Sequence, residues 1–310
     1  MSNMPLTPVS KSRRVLIIKL PIMWLKLLCV LPVLLGVSVA AQPLVVTDDN
    51  DQSVTLQAPA QRIITLAPSM TELVFSLGAG DRIVGVMDFS NYPPAANDLP
   101  VVGRFDMLDM EQIVALQPDL IVAWRSGNPR SALQRLQELG FTVYTAEPES
   151  LRSIASHLQR LGVLTGTETR ANALAEDFIN QLDTTSQQFA EHRLVDVFYQ
   201  VWDRPLVTVG GRELINDMID VCGGRNVFRQ LGTGPKVNLE DVLLKEPEVI
   251  IASGSDENSP AWLEDWRRWS QLPAVANDHL YAIPPDLVQR HSLRALQGLD
   301  MMCQHIDKAR

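Results

Sequence analysis

From residue 62 onward the chain alternates between two hydrophobic periods. Arg62-Ile-Ile-Thr-Leu66 is an apolar run of strand length, followed by Ala67-Pro68-Ser69. From Thr71 the apolar positions Leu73, Val74 and Leu77 take helical spacing, and Gly78 ends them. Arg82-Ile-Val-Gly-Val86 returns to strand character, and strand, loop and helix keep alternating as far as Val143-Tyr144. This predicts an α/β layer around a parallel sheet. Ile154 to Leu164 is helical. Glu168 to Glu191 then runs without proline or glycine, with Ala171, Leu174, Ala175, Phe178, Ile179 and Leu182 on one stripe, which predicts a single long amphipathic helix. After it Val195-Asp-Val-Phe-Tyr-Gln-Val201 restarts strand-like alternation, and a second α/β layer continues to the C-terminus.

The two layers are related. Met110-Glu-Gln-Ile-Val-Ala-Leu-Gln-Pro-Asp-Leu-Ile-Val-Ala-Trp124 matches Leu239-Glu-Asp-Val-Leu-Leu-Lys-Glu-Pro-Glu-Val-Ile-Ile-Ala-Ser253. Each copy reads as an apolar residue and glutamate, a short helix, proline and an acid, then an apolar strand ending in alanine and one more residue. Asp109 and Asn238 are good N-caps, with Gln112 and Asp241 three residues on. Two copies are too few for a solenoid. The reading is therefore two Rossmann-like lobes bridged by one long rigid helix, with a cleft between them: residues 42–165, a bridging helix over 166–192, and residues 193–310.

The N-terminus belongs to neither lobe. Residues 1–41 carry Lys11, Arg13, Arg14, Lys19 and Lys26 and no acid; an apolar stretch from Leu27 to Val39 follows, then small residues to Ala41. A basic head, a short apolar core and a small-residue exit describe an export signal cleaved near Ala41. A retained membrane anchor is the alternative, although the uninterrupted run is shorter than the ~20 residues a spanning helix needs. Loss of the segment takes five of the 27 basic residues and leaves 22 against 36 acids, a formal −14. Such an acidic surface argues against nucleic acid as a partner and suits a soluble carrier beside anionic lipid. Export would also leave two cysteines, Cys222 and Cys303, in an oxidising compartment. They suggest a disulfide worth roughly 4 kcal/mol by loop closure, with two separate buried thiols as the alternative.

Enzymatic signatures are lacking. The sequence has no Gly-x-Gly-x-x-Gly, P-loop, His-Glu-x-x-His or Gly-x-Ser-x-Gly. Its five histidines are scattered, and none pairs with a cysteine at metal-ligand spacing. Loops after the predicted strands instead hold Tyr92-Pro-Pro, Phe105, Trp124-Arg-Ser-Gly127, Val201-Trp202-Asp203 and Pro284-Pro-Asp-Leu287. Ligands of α/β layers collect beyond the carboxyl ends of strands, and aromatics there supply large apolar contact at low entropic cost.

Several of these segments resemble the periplasmic cobalamin-binding proteins of bacterial ATP-driven importers, within the wider group of helical-backbone receptors for iron-siderophores and haem. The resemblance covers nearly all of residues 61–307. It rests on Arg62-Ile-Ile-Thr-Leu-Ala-Pro-Ser-Met-Thr-Glu-Leu73, Tyr92-Pro-Pro94, Glu111-Gln-Ile-Val-Ala-Leu-Gln-Pro-Asp119, Ala123-Trp-Arg-Ser-Gly-Asn128 and Val221-Cys-Gly-Gly224. It implies a monomeric receptor rather than an enzyme, holding cobalamin as cargo and no cofactor of its own. By resemblance, Tyr92, Phe105 and Trp124 form the first-lobe wall, while Asp286 and Arg290 supply polar contacts from the second lobe. Cys222 and Cys303 match the receptors' disulfide pair. Where those receptors carry a second-lobe tryptophan this chain has Gly234, so Trp202 is the expected substitute. Glu111 and Glu240 fall where the family presents one carboxylate per lobe to arginines of a two-fold symmetric ABC permease. Haem or an iron-siderophore is the alternative cargo, with Tyr92 or His291 as candidate axial donors; a periplasmic hydrolase on a related scaffold is the remaining reading.

Overall fold

The computed structural model describes Arg14 and residues 42–254 and 259–310. The export segment expected at 1–41 lies, Arg14 apart, outside the described residues. The described chain begins with a hairpin, β1 (Leu44–Thr47) and β2 (Ser53–Leu56), paired antiparallel from Leu44↔Leu56 to Thr47↔Ser53. Asp48 makes its turn by accepting the backbone N–H groups of Asn50 and Gln52 at 2.9 Å. The sequence reading starts at Arg62 and misses this hairpin, in which only Val46, Val54 and Leu56 are buried apolar residues.

The first lobe then runs β3 (Ile63–Thr65), α1 (Pro68–Ser76), β4 (Ile83–Val86), β5 (Gly103–Arg104), β6 (Met107–Leu108), α2 (Met110–Leu116), β7 (Leu120–Trp124), α3 (Arg130–Glu138) and β8 (Val143–Ala146). Helix α1 starts three residues before Thr71, because Pro68 presets the first-turn dihedral and has no N–H to leave unpaired. Next come α4 (Leu151–Thr165) and α5 (Glu168–Phe189). The second lobe is β9 (Val195–Trp202), β10 (Val207–Thr208), α6 (Leu214–Val221), β11 (Gly224–Asn226), α7 (Leu239–Lys245), β12 (Val249–Ser253), α8 (Ala261–Glu264), α9 (Pro273–Ala276), β13 (Leu280–Ile283), α10 (Pro285–Val288) and α11 (Ala295–Asp307).

The sheets share one topology. The first is parallel in the order β4-β3-β7-β8, and the second is parallel in the order β11-β9-β12-β13. The short β10 adds antiparallel beside the carboxyl end of β9. The internal repeat therefore covers whole lobes. Within it α2 and α7 each end on a left-handed residue, Gln117 and Glu246, both at φ 47°. The N-caps differ: Asp109 accepts the Gln112 N–H at 2.9 Å, whereas Asn238 makes no side-chain cap to the backbone and its amide turns toward Asp241.

Alternate residues of the central strands face opposite apolar layers, which is why these strands read as unbroken apolar runs. Leu120, Val122, Val249 and Ile251 face a core that continues through α4, α5 and α11, including Leu158, Phe178, Leu182 and Met302. Ile121 and Ala123 face α2 and α3, while Ile250 and Ala252 face α7 and Trp266. Helix α5, about 33 Å long at 1.5 Å per residue, spans from one lobe to the other. It is not a lone strut: α4 lies against it so closely that a Cβ on Gly162 would sit 2.3 Å from the Cβ of Ala171. Cys222, at the end of α6, and Cys303 on α11 form a disulfide.

Candidate functional site

In each sheet the chain leaves the central strand pair in opposite directions, β3 towards β4 and β7 towards β8 in the first, β9 towards β11 and β12 towards β13 in the second. Such switch points open a crevice at the carboxyl ends of the strands. A cavity of about 610 Å³ lies there, lined from the first lobe by Trp124, Arg125, Ser126, Glu147 and Glu149 and from the second by Val201, Arg212, Ile215, Gln289 and His291. That volume is in the range of sites for organic ligands.

Trp124 is the best anchored part of the wall. It is the last residue of β7, and its backbone N–H donates to Asn128 Oδ1 at 2.8 Å, while Asn128 Nδ2 donates to the Leu66 carbonyl at 2.8 Å. The indole Nε1 donates to Glu147 Oε1 at 3.2 Å. Gly127 lies under the ring: a Cβ there would come within 2.0 Å of indole Cε3. The Ala-Trp-Arg-Ser-Gly-Asn segment is thus a device for holding one aromatic face still. Glu147 also accepts the Ser126 N–H and hydroxyl, at 2.9 and 2.8 Å, and pairs with Arg125 at 3.3 Å.

His291 faces Trp124 from the second lobe, with ring centroids 6.3 Å apart and a 54° tilt. Burial, helped slightly by the field of His157, pushes its pKa down to about 4, so it is neutral at neutral pH. On the same side Ser253 Oγ, at the end of β12, accepts from Gln289 Nε2 at 2.9 Å and lies 3.1 Å from the Tyr199 hydroxyl. Glu213 Oε1 ties the second-lobe rim by accepting the N–H groups of Gly210 at 2.6 Å and Gly234 at 3.0 Å. Gly234 is left-handed, at φ 55°, with no atom within 4 Å of where its Cβ would stand. The position lacking the expected aromatic is therefore open.

The two lobes also meet through a buried carboxylate. Glu72 on α1 accepts from Arg290 Nη1 at 2.9 Å, Arg294 Nη1 at 3.1 Å and Ser292 Oγ at 2.6 Å, all from the second lobe. Arg290 reaches further, to Asn91 Oδ1 at 2.8 Å and the Phe89 carbonyl at 3.1 Å, and pairs with Asp286 at 2.9 Å. Its side chain is only 11% exposed.

The structure does not gather all the expected site residues around one space. Trp124 lines the main cavity. Tyr92 lies 4.2 Å beneath the Arg294 guanidinium and lines a smaller pocket with Glu72, Phe75 and Gln297. Phe105, between β5 and β6, and Trp202, at the end of β9, are 76% and 57% exposed. Arg290 is engaged across the lobes, and Asp286 is its partner. Glu111 and Glu240 are exposed in the first turns of α2 and α7. Three features escape the sequence reading: Glu147, the Glu72 cluster and Phe89. Phe89 is 71% exposed and left-handed at φ 62°, a costly combination for a bulky residue and one that clusters at binding sites. A signal for Glu72 was present, since it sets a carboxylate between Met70 and the apolar Leu73 and Val74, and all of these are buried.

Among the described residues no group of three or more His, Cys, Asp or Glu is placed to hold a bare metal ion. No helix among them is long and apolar enough to cross a membrane.

Comparison with known proteins gives a consistent result. Residues 63–287 match the periplasmic binding protein family. A vitamin B12-binding protein of Vibrio campbellii is 32% identical over 272 residues, covering 87% of this chain and 96% of its own. The crystal structure of the periplasmic vitamin B12 binding protein BtuF of Vibrio cholerae superposes with a TM-score of 0.75 at 34% identity, covering 81% of this chain and 98% of that one. The periplasmic heme-binding protein RhuT from Roseiflexus sp. RS-1 shares the fold, with a TM-score of 0.72 at 22% identity over 81% of this chain and 100% of its own. The two parallel-sheet lobes, the bridging helix and the cleft are those of a binding protein rather than an enzyme, and the chain belongs to the periplasmic binding protein family.

Proposed function

We propose that this chain captures cobalamin in the cleft between its lobes and delivers it to an ABC importer of the inner membrane. The observation that carries this reading is the Trp124-walled cavity at the carboxyl ends of both sheets, in a chain similar over most of its length to vitamin B12-binding proteins. A flat macrocycle would lie against the fixed indole face, with Phe89, Phe105 and Trp202 free to close on its edges and the Glu147–Arg125 pair beside its amide rim. Cobalamin is cargo here and not a resident cofactor. Tyr92 and Arg290 serve the site indirectly in this reading, by holding the lobes through Arg294 and Glu72. The receptor works as a monomer released from its N-terminal segment near Ala41. Glu111 and Glu240 dock the two lobes on a two-fold symmetric permease. Their equivalent places in the repeat support that role, since a carrier meeting a symmetric partner needs one matching charge per half.

Titration of the purified full chain with cyanocobalamin, followed by tryptophan fluorescence and calorimetry with haemin as control, tests the reading. Saturable one-to-one binding, weakened at least roughly ten-fold by Trp124→Ala, is the expected result. Binding of haemin alone would move the cargo to a porphyrin, and binding of neither would overturn the reading.

A further inference from the structure

His291 occupies an unusual position for a histidine of this chain. His157 has the Tyr144 hydroxyl 2.9 Å and Arg160 Nη2 3.1 Å from its Nδ1. His279 Nδ1 lies 3.0 Å from the Tyr281 hydroxyl, His192 faces Asp307, and His305 stacks on Tyr281. His291 lines the main cavity, its one ring contact is with Trp124, and among the described residues no hydrogen-bond partner holds either of its ring nitrogens. A ring nitrogen that lines the cavity with no protein partner is free to meet a ligand bound there.

We propose that His291 is an axial donor to the metal ion of the captured chelate, selecting corrinoids whose axial position carries exchangeable water over those capped by a tightly held ligand. This rests on the cleft being a corrinoid site. The place of His291 in the cavity lining, facing Trp124 across the cleft, carries it. The imidazole is neutral at neutral pH because burial holds its pKa at about 4, so a nitrogen lone pair is available without proton release. Imidazole nitrogen is a good donor to first-row transition metals. The described residues hold no cluster able to bind a bare ion, and a lone histidine suffices only where the chelate already fills the other positions. In the step proposed, a bond forms from an imidazole nitrogen to the metal and the metal–water bond breaks. Water leaves, and neither oxidation state nor proton count changes.

The test uses the full chain with two probes, aquocobalamin and cyanocobalamin, reading both affinity and the visible spectrum of the bound corrinoid. The wild-type protein should shift the aquocobalamin bands towards those of an imidazole adduct and leave the cyanocobalamin spectrum unchanged. His291→Ala should abolish the shift and weaken aquocobalamin binding by roughly ten-fold more than it weakens cyanocobalamin binding, with a melting curve like that of the wild type reporting a folded chain. His291→Gln, polar but with no metal-binding nitrogen, should behave like the alanine variant. Aquocobalamin bound with an unshifted spectrum, or a shift that survives in both variants, would overturn the proposal and leave the cobalamin reading standing. Failure of both probes to bind wild-type protein would overturn the two together.

Discussion

Glu72→Ala removes a single carboxylate and strands two arginines. In the wild type that carboxylate is 3% exposed and takes one hydrogen bond from each of Arg290 and Arg294 and one from Ser292. The guanidinium side chains are themselves only 11% and 20% exposed. Removing one partner of a buried ion pair costs about 3–5 kcal/mol, because the remaining charge keeps its desolvation penalty and loses its compensation. Arg290 retains Asp286 at 2.9 Å, and that carboxylate is partly in water, which places the expected loss near the lower end, about 3 kcal/mol. Unfolding entropy near 2 cal/mol/K per residue makes this a fall in Tm of roughly 5 °C for the unit of residues 41–310. Glu72→Gln, which keeps an acceptor but no charge, should fall between. Thermal and urea melts measure both. The Glu72 bonds also run from the first lobe to the second, so the alanine variant should loosen lobe orientation and raise the radius of gyration measured in solution. A Tm within 1 °C of wild type, with unchanged dimensions, would refute the assignment of Glu72 as the tie between lobes.

Other consequences are as direct. Gly127→Ala must displace the Trp124 ring, whose Cε3 would lie 2.0 Å from the new methyl; cobalamin affinity should drop by at least about ten-fold while the melting temperature changes little. Lowering the pH from 6.5 towards 4 should destabilise the fold. Burial holds His157 and His291 at about 4, so in this window the unfolded chain takes up protons that the folded one refuses, at up to about 1.4 kcal/mol per pH unit for each; a flat Tm profile across the window would contradict it. Asp49, held low chiefly by Arg160 against the opposing effect of burial, adds a loss at still lower pH. Reduction of Cys222–Cys303, whose positions are 81 apart in sequence, should cost about 4 kcal/mol by loop closure, read as a lower urea midpoint under dithiothreitol. Exchange of Glu111 and Glu240 for lysine should abolish uptake in vesicles carrying the importer while leaving cobalamin affinity within about two-fold.

The lobes were legible because both faces of each sheet are buried. Apolar runs such as Leu120–Ala123 and Val249–Ala252 leave no exposed alternation to obscure them, and the repeated Pro118 and Pro247 mark the same turn in each half. The long helix was legible from the stripe Ala171, Ala175, Phe178 and Leu182, which is buried against the shared core. The opening hairpin was not, because its strands are four residues long and its turn is made by an aspartate side chain rather than by glycine. The site was half legible. Of the aromatics predicted in loops after strands, Trp124 lines the main cavity. How that ring is held depends on long-range bonds such as Trp124 Nε1 to Glu147, and the tie between the lobes on Arg290 to Glu72, separated by 218 positions. No local pattern encodes either.

The way the repeat diverges is itself informative. Helices α2 and α7 keep the same length, the same first-turn glutamate, the same left-handed C-cap and one buried residue in the same place, Ile113 and Val242. At the carboxyl ends of the strands that follow, resemblance stops: Trp124 with its Gly127 support on one side, Ser253 bonded to Gln289 on the other. Both strands are equally buried up to that point, so packing does not demand the difference. One surface has stayed symmetric and the other has not. Under the proposed function, an asymmetric cargo held between the lobes and a partner that meets both lobes alike would produce that division. A chain whose two halves diverged evenly would carry no such contrast. The uptake assay with single lysine variants therefore has a specific expectation: Glu111→Lys and Glu240→Lys should each impair transport to a similar degree, whereas Trp124→Ala and Ser253→Ala should affect binding very unequally.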